Sequence, residues 1–451
     1  MLADLYIKRG HDIQIAGTPV KEVEKGKIPS SVAILPTDFR GVKPKLLVKE
    51  GDIVKIGSPV FHCKSNPILT WPSPGGGTVK SIQYGPRRII EKIEIELSEK
   101  EDFEKFNAYR FNEISSLERK DVIEILTKGQ LFPFIRQRPF NKVADPNTIP
   151  RDIFISGWNT APLSVDLDLA LRRRLSPFQV GINVLKKLTD GDVHLSYHEN
   201  TVSDTLLQLT GVKAHTLNGP HPAGNVGIQI HHFAPIGLND LLWTVNAQDV
   251  VRIGNFLLTG QLDTTLFATV GGPSVAAPTH IKTRLGVPIS TLIQNRLSEG
   301  RHRIISGDVL TGITSDSNGF LCFYDSTVSV VPEGEKREFL GMLKPGSAKT
   351  RYSLTNAFLG RKKERFNFST LNNGSERYMV PINAWEDMLP MDILPNALYR
   401  AILAEDFEEM EQLGIYECDE EDFALCTFAC PSKIDVGSAI RDGLDLMEKE
   451  G

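Results

Sequence analysis

Asn218-Gly219-Pro220-His221-Pro222-Ala223-Gly224-Asn225-Val226-Gly227-Ile228-Gln229-Ile230-His231-His232-Phe233-Ala234-Pro235 is the stretch on which the reading of this chain turns. It opens as a loop in which proline fixes φ and glycine permits backbone paths closed to other residues. From 226 to 233 apolar residues alternate with small or polar ones, which predicts a strand. A loop feeding a strand of an α/β fold is where sites are built. On a strand, His231 and His232 would face opposite sides of the sheet and could not share one metal ion.

The neighbouring segments alternate in the same sense. Residues 120–128 read as a short helix with Val122, Ile125 and Leu126 on one face and Gly129 as its stop. Strands are expected at 152–156 and 192–197, and helices at 167–175, 178–188 and 201–209. Together these predict a layered α/β domain over 106–258 with a mostly parallel sheet. No G-x-G-x-x-G loop follows a strand, so a closely cradled dinucleotide phosphate is not expected. In its place stands Gly129-Gln130-Leu131-Phe132-Pro133-Phe134-Ile135-Arg136-Gln137-Arg138-Pro139-Phe140, which is bulky, aromatic and basic. It can line a pocket for a flat carbonyl-bearing ring, or its phenylalanines can be core and its arginines paired with carboxylates.

Residues 45–82 read as short strands joined by turns at Lys49-Glu50-Gly51-Asp52, Ile56-Gly57-Ser58-Pro59 and Pro72-Ser73-Pro74-Gly75-Gly76-Gly77. This spacing resembles a lipoyl/biotinyl barrel-sandwich domain, expected over 1–105. A carrier version needs a lysine at the tip of the hairpin between its two motifs. That place holds Asn66, and Lys64 is two residues off, so a structural or docking role is expected. Residues 259–330 resemble a small β-grasp domain of the SLBB type, ending at Ile305-Ser306-Gly307-Asp308-Val309-Leu310-Thr311-Gly312. The 331–379 region reads as linker and strand, with a loop around Arg361-Lys362-Lys363-Glu364-Arg365 and Asn372-Asn373-Gly374. From 380 to 451 apolar stripes at helical spacing predict a helical domain resembling a degenerate ferredoxin. Its Cys426-Thr427-Phe428-Ala429-Cys430-Pro431 matches half of a four-cysteine cluster run, but Phe423 and Glu420 stand where the upstream ligands belong.

The composition sets outer limits. A chain of 451 residues exceeds one core, so three or four domains are expected. No apolar run reaches the ~18–20 residues that span a bilayer. The charged start, with Asp4, Lys8, Arg9, His11 and Asp12, is not a signal peptide. Five dispersed cysteines suit a reducing compartment. Residues 380–451 hold 18 acidic and 4 basic side chains, so the rest of the chain is positive. That excess is dilute and lacks a basic helix with interleaved aromatics, so no nucleic acid is expected. No nucleophile elbow, P-loop or H-E-x-x-H is present, and His221, His231 and His232 lack companions at metal-ligand spacing.

Four segments occur in order: Arg138-Pro139-Phe140-Asn141-Lys142-Val143, the loop from Gly219 to His231, Ile305 to Gly312, and Cys426-Thr427-Phe428-Ala429-Cys430-Pro431-Ser432-Lys433-Ile434-Asp435-Val436-Gly437. Together they resemble the A subunit of the bacterial Na+-translocating NADH:quinone reductase, itself similar to the C subunit of Rnf complexes and to the NADH-binding flavoprotein subunit of complex I. The resemblance implies a peripheral subunit on the cytoplasmic face of the bacterial inner membrane, carrying no cofactor of its own. It implies partner subunits that carry FAD, a 2Fe–2S centre and covalent FMN, with NADH oxidised on one of them. It implies a part in ubiquinone reduction coupled to sodium export, against the FMN-bearing membrane subunit. Ring stacking and donor chemistry nominate Arg136, Arg138, Phe140, His221, His231 and His232 as the quinone pocket. A purely structural docking subunit is the alternative.

Overall fold

The computed structural model describes residues 4–334, 352–354, 365–372 and 374–450. Most of the charged loop expected at Arg361 to Arg365, together with Asn373, lies outside them. The α/β domain is built on Asp152–Ser156, whose Ile153, Phe154 and Ile155 are fully buried. A strand apolar on both faces must lie in the middle of a covered sheet. Val193–His198 and Leu242–Asn246 flank it in parallel, and Lys213–Asn218 and Leu5–Tyr6 extend the first side. On the other side Ile135–Arg138 runs antiparallel to Leu242–Asn246 and turns back through Lys142–Val143. Strand order therefore reverses at Asp152–Ser156, which makes its carboxyl end a topological switch point. The helices Leu175–Leu185 and Ala247–Thr259 cross tightly beside the sheet. Gly254 permits the crossing, since a Cβ there would stand 1.7 Å from Pro177 O.

The quoted stretch does not form a strand. Val226–Phe233 is an α-helix. Its alternation is real, but Val226, Gly227, Ile228, Gln229 and Ile230 are all buried. One side meets Phe154 and Leu242 of the sheet, and another meets the C-terminal helices. A helix buried on every side loses its 3.6-residue signature, and a short apolar run cannot then be told from a strand. His231 and His232 are consequently neighbours on a helical turn, with ring centroids 5.2 Å apart. The other expected helices occur at Arg119–Lys128, Leu167–Ala170, Leu175–Leu185 and Asp204–Leu207.

The N-terminal domain pairs a four-stranded sheet (Ser31–Ile34, Ile90–Leu97, Gly77–Tyr84, Ile53–Val54) with a three-stranded one (Pro44–Leu46, Pro59–Cys63, Thr70–Pro72). Trp71 and Phe61 stack at 4.7 Å in the core, both fully buried. At the hairpin tip Asn66 Nδ2 donates to Asp145 Oδ1 of the α/β domain at 3.2 Å, so this tip is tethered rather than swinging free. The next sheet runs Ile313–Ser315, His302–Ser306, Thr327–Pro332, Thr265–Gly271, Thr279–Arg284, Val23–Lys25, with helix Ile289–Ile293 beside it. Residues near the chain start thus complete two other sheets: Leu5–Tyr6 the α/β one and Val23–Lys25 this one.

The C-terminal domain comprises the helices Pro395–Ala404, Phe407–Gln412, Glu420–Ala429 and Val436–Glu450. Cys418, Cys426 and Cys430 are buried in it as small apolar groups, among Trp385, Met410 and Phe423. The domain docks on the α/β sheet edge through charge. Arg138, 2% exposed, places Nη2 2.7 Å from Asp419 Oδ2 and donates to Glu421 Oε1 at 3.1 Å. Arg40 of the N-terminal domain pairs with Glu420 at 2.9 Å. Asn225 Nδ2 donates to Glu421 O at 3.1 Å and to Asp422 Oδ1 at 3.3 Å. Burial opposes the Arg138 charge, but Asp419, Glu421, Asp422 and Glu420 outweigh it and hold the guanidinium firmly protonated. Burial, then the Glu421 charge, pushes the Asp422 carboxyl well above the usual range.

Arg138→Ala leaves Asp419 buried and unpaired, and should lower unfolding stability by about 3–5 kcal/mol; Arg136→Ala, two residues away, should change it by less than about 1 kcal/mol. Chemical denaturation of both variants decides the contrast. The raised folded pKa of Asp422 means that its contribution is fully present below its ordinary 3.8 and is lost as pH rises towards the folded value. Asp422→Asn should therefore unfold at a higher temperature than the parent at pH 8, and the difference should vanish near pH 4 in paired thermal melts.

Candidate functional site

A cavity of about 690 Å³ opens at the switch point. Ser156 and Asn246, the carboxyl ends of the two diverging strands, form its floor. Two loops close it. The first, Gly157-Trp158-Asn159-Thr160-Ala161-Pro162, follows the central strand, where a dinucleotide fold would place its glycine-rich turn. The second runs from Gly219 to Asn225. They are stitched together: Thr160 Oγ1 accepts from Gly224 N at 2.9 Å and contacts His221 Nδ1 at 3.0 Å. Gln229 Nε2 donates to Gly224 O and Ser156 Oγ, each at 3.1 Å. Thr160 Oγ1 and His221 Nδ1 share a hydrogen bond whose direction follows the ring tautomer. Burial lowers the His221 pKa to about 4, so the ring is neutral at physiological pH.

The β-grasp domain supplies the opposite wall with Asp308, Tyr324 and Asp325, and the helical domain supplies Glu420, Glu421 and Arg441. Arg136 reaches in from the strand Ile135–Arg138 with its guanidinium carbon 5.1 Å from the Tyr324 ring centre. No carboxylate of the described residues lies within ion-pair distance of it, although several share the cavity. Burial, reinforced by the charges of Asp38 and Asp308, pushes the Asp325 carboxyl up to about 7 against the hydrogen bond from Ser306 Oγ. Burial likewise pushes Asp38 up to about 6 against the Phe323 N–H that it accepts at 2.7 Å. Thr244, 3% exposed, lines the floor with a hydroxyl that has no hydrogen-bond partner among the described residues. The site therefore offers a cation over a ring, a neutral imidazole, an indole edge at Trp158 and carboxyls that hold protons near neutrality. That set can hydrogen-bond a carbonyl and deliver a proton. Among the described residues no group of three or more His, Cys, Asp or Glu is placed to hold a metal ion.

Of the six nominated pocket residues, Arg136 and His221 line this cavity. The other four are taken up by domain docking and do not join them there. Arg138 is buried in its ion pairs. Phe140 packs edge-on to Tyr416 at 6.0 Å, and its carbonyl accepts from Arg441 Nη1 at 3.1 Å. His231 Nδ1 bonds Glu417 Oε2 at 2.7 Å while its Nε2 accepts from Asp392 N at 2.9 Å. His232 Nε2 donates to Pro390 O at 2.9 Å. The strand assignment concealed this, because only a helix turns both rings towards the C-terminal domain. Trp158 was missed, because the glycine loop was sought at Gly129 to Phe140; its signal was its place directly after the strand expected at 152–156. Tyr324 and Asp325 carried no signal, since a different domain brings them to the cavity.

Residues 5–98 match the family described as the NqrA N-terminal barrel-sandwich hybrid domain, 117–262 the NqrA second alpha/beta domain, and 269–317 the NQRA C-terminal domain. The chain is 38% identical to the A subunit of the Na(+)-translocating NADH-quinone reductase of Alcanivorax borkumensis, over 99% of this chain and 100% of that one. It is 38% identical to the protein of the same name from Histophilus somni and 40% identical to that from Yersinia pseudotuberculosis, again over 99% and 100%. These matches explain why the expected barrel-sandwich and α/β domains occur together and in this order. With its domains matched in sequence and its relatives aligned end to end, the chain belongs to the NqrA family, the A subunits of Na(+)-translocating NADH-quinone reductases.

Proposed function

We propose that this chain serves as the subunit of a Na+-translocating NADH:quinone reductase that helps to hold ubiquinone for reduction, with the headgroup seated in the switch-point cavity. One observation carries the reading: Arg136, a guanidinium without an ion-pair partner among the described residues, lies over Tyr324 inside a cavity of about 690 Å³. That is large enough for a small-molecule site. A cation held over a ring can donate to a quinone carbonyl and gains strength as the oxygen becomes negative during reduction. Neutral His221 offers a second donor from the facing loop. The electrons come from partner subunits, which under this reading carry FAD, a 2Fe–2S centre and FMN and oxidise NADH. No helix among the described residues is long and apolar enough to cross a membrane, which suits a peripheral place on the cytoplasmic face against the FMN-bearing membrane subunit.

A second reading, a docking subunit without a ligand site, draws on the four nominated residues consumed between domains and on the tethered Asn66 hairpin. The two separate by kinetics in the assembled complex. Arg136→Ala should raise the KM for a short-chain ubiquinone by roughly 10-fold, the loss of one charge-assisted hydrogen bond, with sodium-independent NADH oxidation by the partner unchanged. An unaltered KM in a complex of normal composition would leave the docking reading standing.

A further inference from the structure

We propose that Asp325 is the proton donor to the quinone oxygen in this cavity, with Ser306 as its positioning residue. The inference rests on the quinone reading above and adds the group that completes the chemistry. Reduction of a quinone to a quinol consumes two electrons and two protons, and the nominated Arg136 cannot give up a proton at any relevant pH. His221, held neutral by burial, has no imidazolium proton to give. The cavity wall contains a better candidate.

Asp325 and Tyr324, whose ring carries Arg136, both line the cavity. Its Oδ2 accepts from Ser306 Oγ at 2.6 Å, and Ser306 Oγ in turn accepts from Cys322 N at 3.0 Å, which fixes the hydroxyl. A Cβ at Gly307 would stand 3.3 Å from Asp325 Oδ1, so that side is closely packed by backbone. The charged and titratable groups that act on it are Asp38 from the N-terminal domain and Asp308 and the Cys322 thiol from its own domain, while Arg136 of the sheet and Glu420 and Glu421 of the helical domain line the same cavity. The near neighbours are anionic, and like charges brought into one desolvated space retain a proton among them. Burial pushes the carboxyls of both wall aspartates up towards the pH at which a general acid works; Asp38 is held by the Phe323 N–H, whereas Asp325 is held by the Ser306 hydroxyl. The unpartnered Thr244 hydroxyl on the cavity floor independently marks the space as one meant to receive a polar group.

The step balances with the electrons that the complex draws from NADH. As the electron pair reaches the ring, the Asp325 O–H bond breaks and an O–H bond forms on one quinone oxygen, whose C=O becomes C–OH. Asp325 is left as carboxylate in a cavity that Arg136 also lines. The second proton and the one that restores Asp325 come from water at the cavity mouth, where lining residues Asp435 and Ser438 are exposed.

The test is steady-state ubiquinone reduction by the assembled complex, followed over pH 5.5–9. A donor must be protonated, so wild-type kcat should fall as pH rises past about 7. Asp325→Asn should lower kcat roughly 100-fold, leave KM unchanged and abolish that limb, and Asp325→Glu should restore most of the rate. Ser306→Ala removes the hydrogen bond that favours the ionised form, and should move the limb upward by roughly 0.5–1 pH unit, a shift that loss of packing alone would not produce. Wild-type kcat and pH profile in Asp325→Asn, with Arg136→Ala still raising KM, would overturn the donor and leave the quinone site intact. Normal kinetics in both variants would remove the site itself. If Asp325→Asn fails to assemble, an unmoved limb in Ser306→Ala overturns the proposal by itself.

Discussion

The Arg138–Asp419 ion pair, at 2.7 Å with both side chains almost fully buried, is the interaction on which the rest of the architecture depends. Buried charge is stable only when it is paired and further hydrogen-bonded, and here one guanidinium serves Asp419 and Glu421 together. This commits the start of helix Glu420–Ala429 to one place against the sheet edge. Asn225 then meets the same helix turn, and Gly227 leaves room for Asp422, since a Cβ there would stand 2.0 Å from Asp422 Oδ2. The helical domain carries most of the chain's surplus acid, and the arginines that receive it, Arg138 and Arg40, come from two other domains. Charge therefore fixes the register of this domain, over an apolar contact in which Ile228 and Ala223 pack with its helices.

That placement makes the cavity. A switch point in an open α/β sheet is a crevice by topology alone, but here two further domains roof it. The loop after Asp152–Ser156 and the loop before Val226–Phe233 are fastened to each other by Thr160, Ser156 and Gln229, which gives the floor a fixed shape. The β-grasp domain brings Tyr324 and Asp325, and the helical domain brings Glu420 and Glu421. Elsewhere in α/β folds the glycine loop approaches a phosphate closely. Trp158 in that position lines the approach with a ring.

Where the sequence reading went astray, one physical cause recurs. Arg138, Phe140, His231 and His232 were singled out because polar and aromatic residues beside Pro/Gly loops tend to serve ligands. They serve the contact between domains instead, and an interdomain contact has the same residue preferences as a binding site. The helix at Val226–Phe233 was read as a strand for a related reason: a neighbouring domain covers the face that would otherwise have been polar, and the helical period disappears.

By itself the sequence determined the elements whose cause is local. The turns at Gly51 and Gly57 have φ of 88° and 89°, which favour glycine, and they place the small strands of the N-terminal domain. The apolar run at Asp152–Ser156 was read as a buried strand, and it is the central one. The carrier reading turned on one side chain, Asn66, and the incomplete cysteine run on two, Glu420 and Phe423. The tertiary structure alone decided which residues share the cavity, because Arg136, His221 and Asp325 lie on three segments almost 200 residues apart from end to end and meet only through domain docking. Local patterns record what each segment buries. They do not record which other segment does the burying, and the electrostatics of the site come entirely from that second choice.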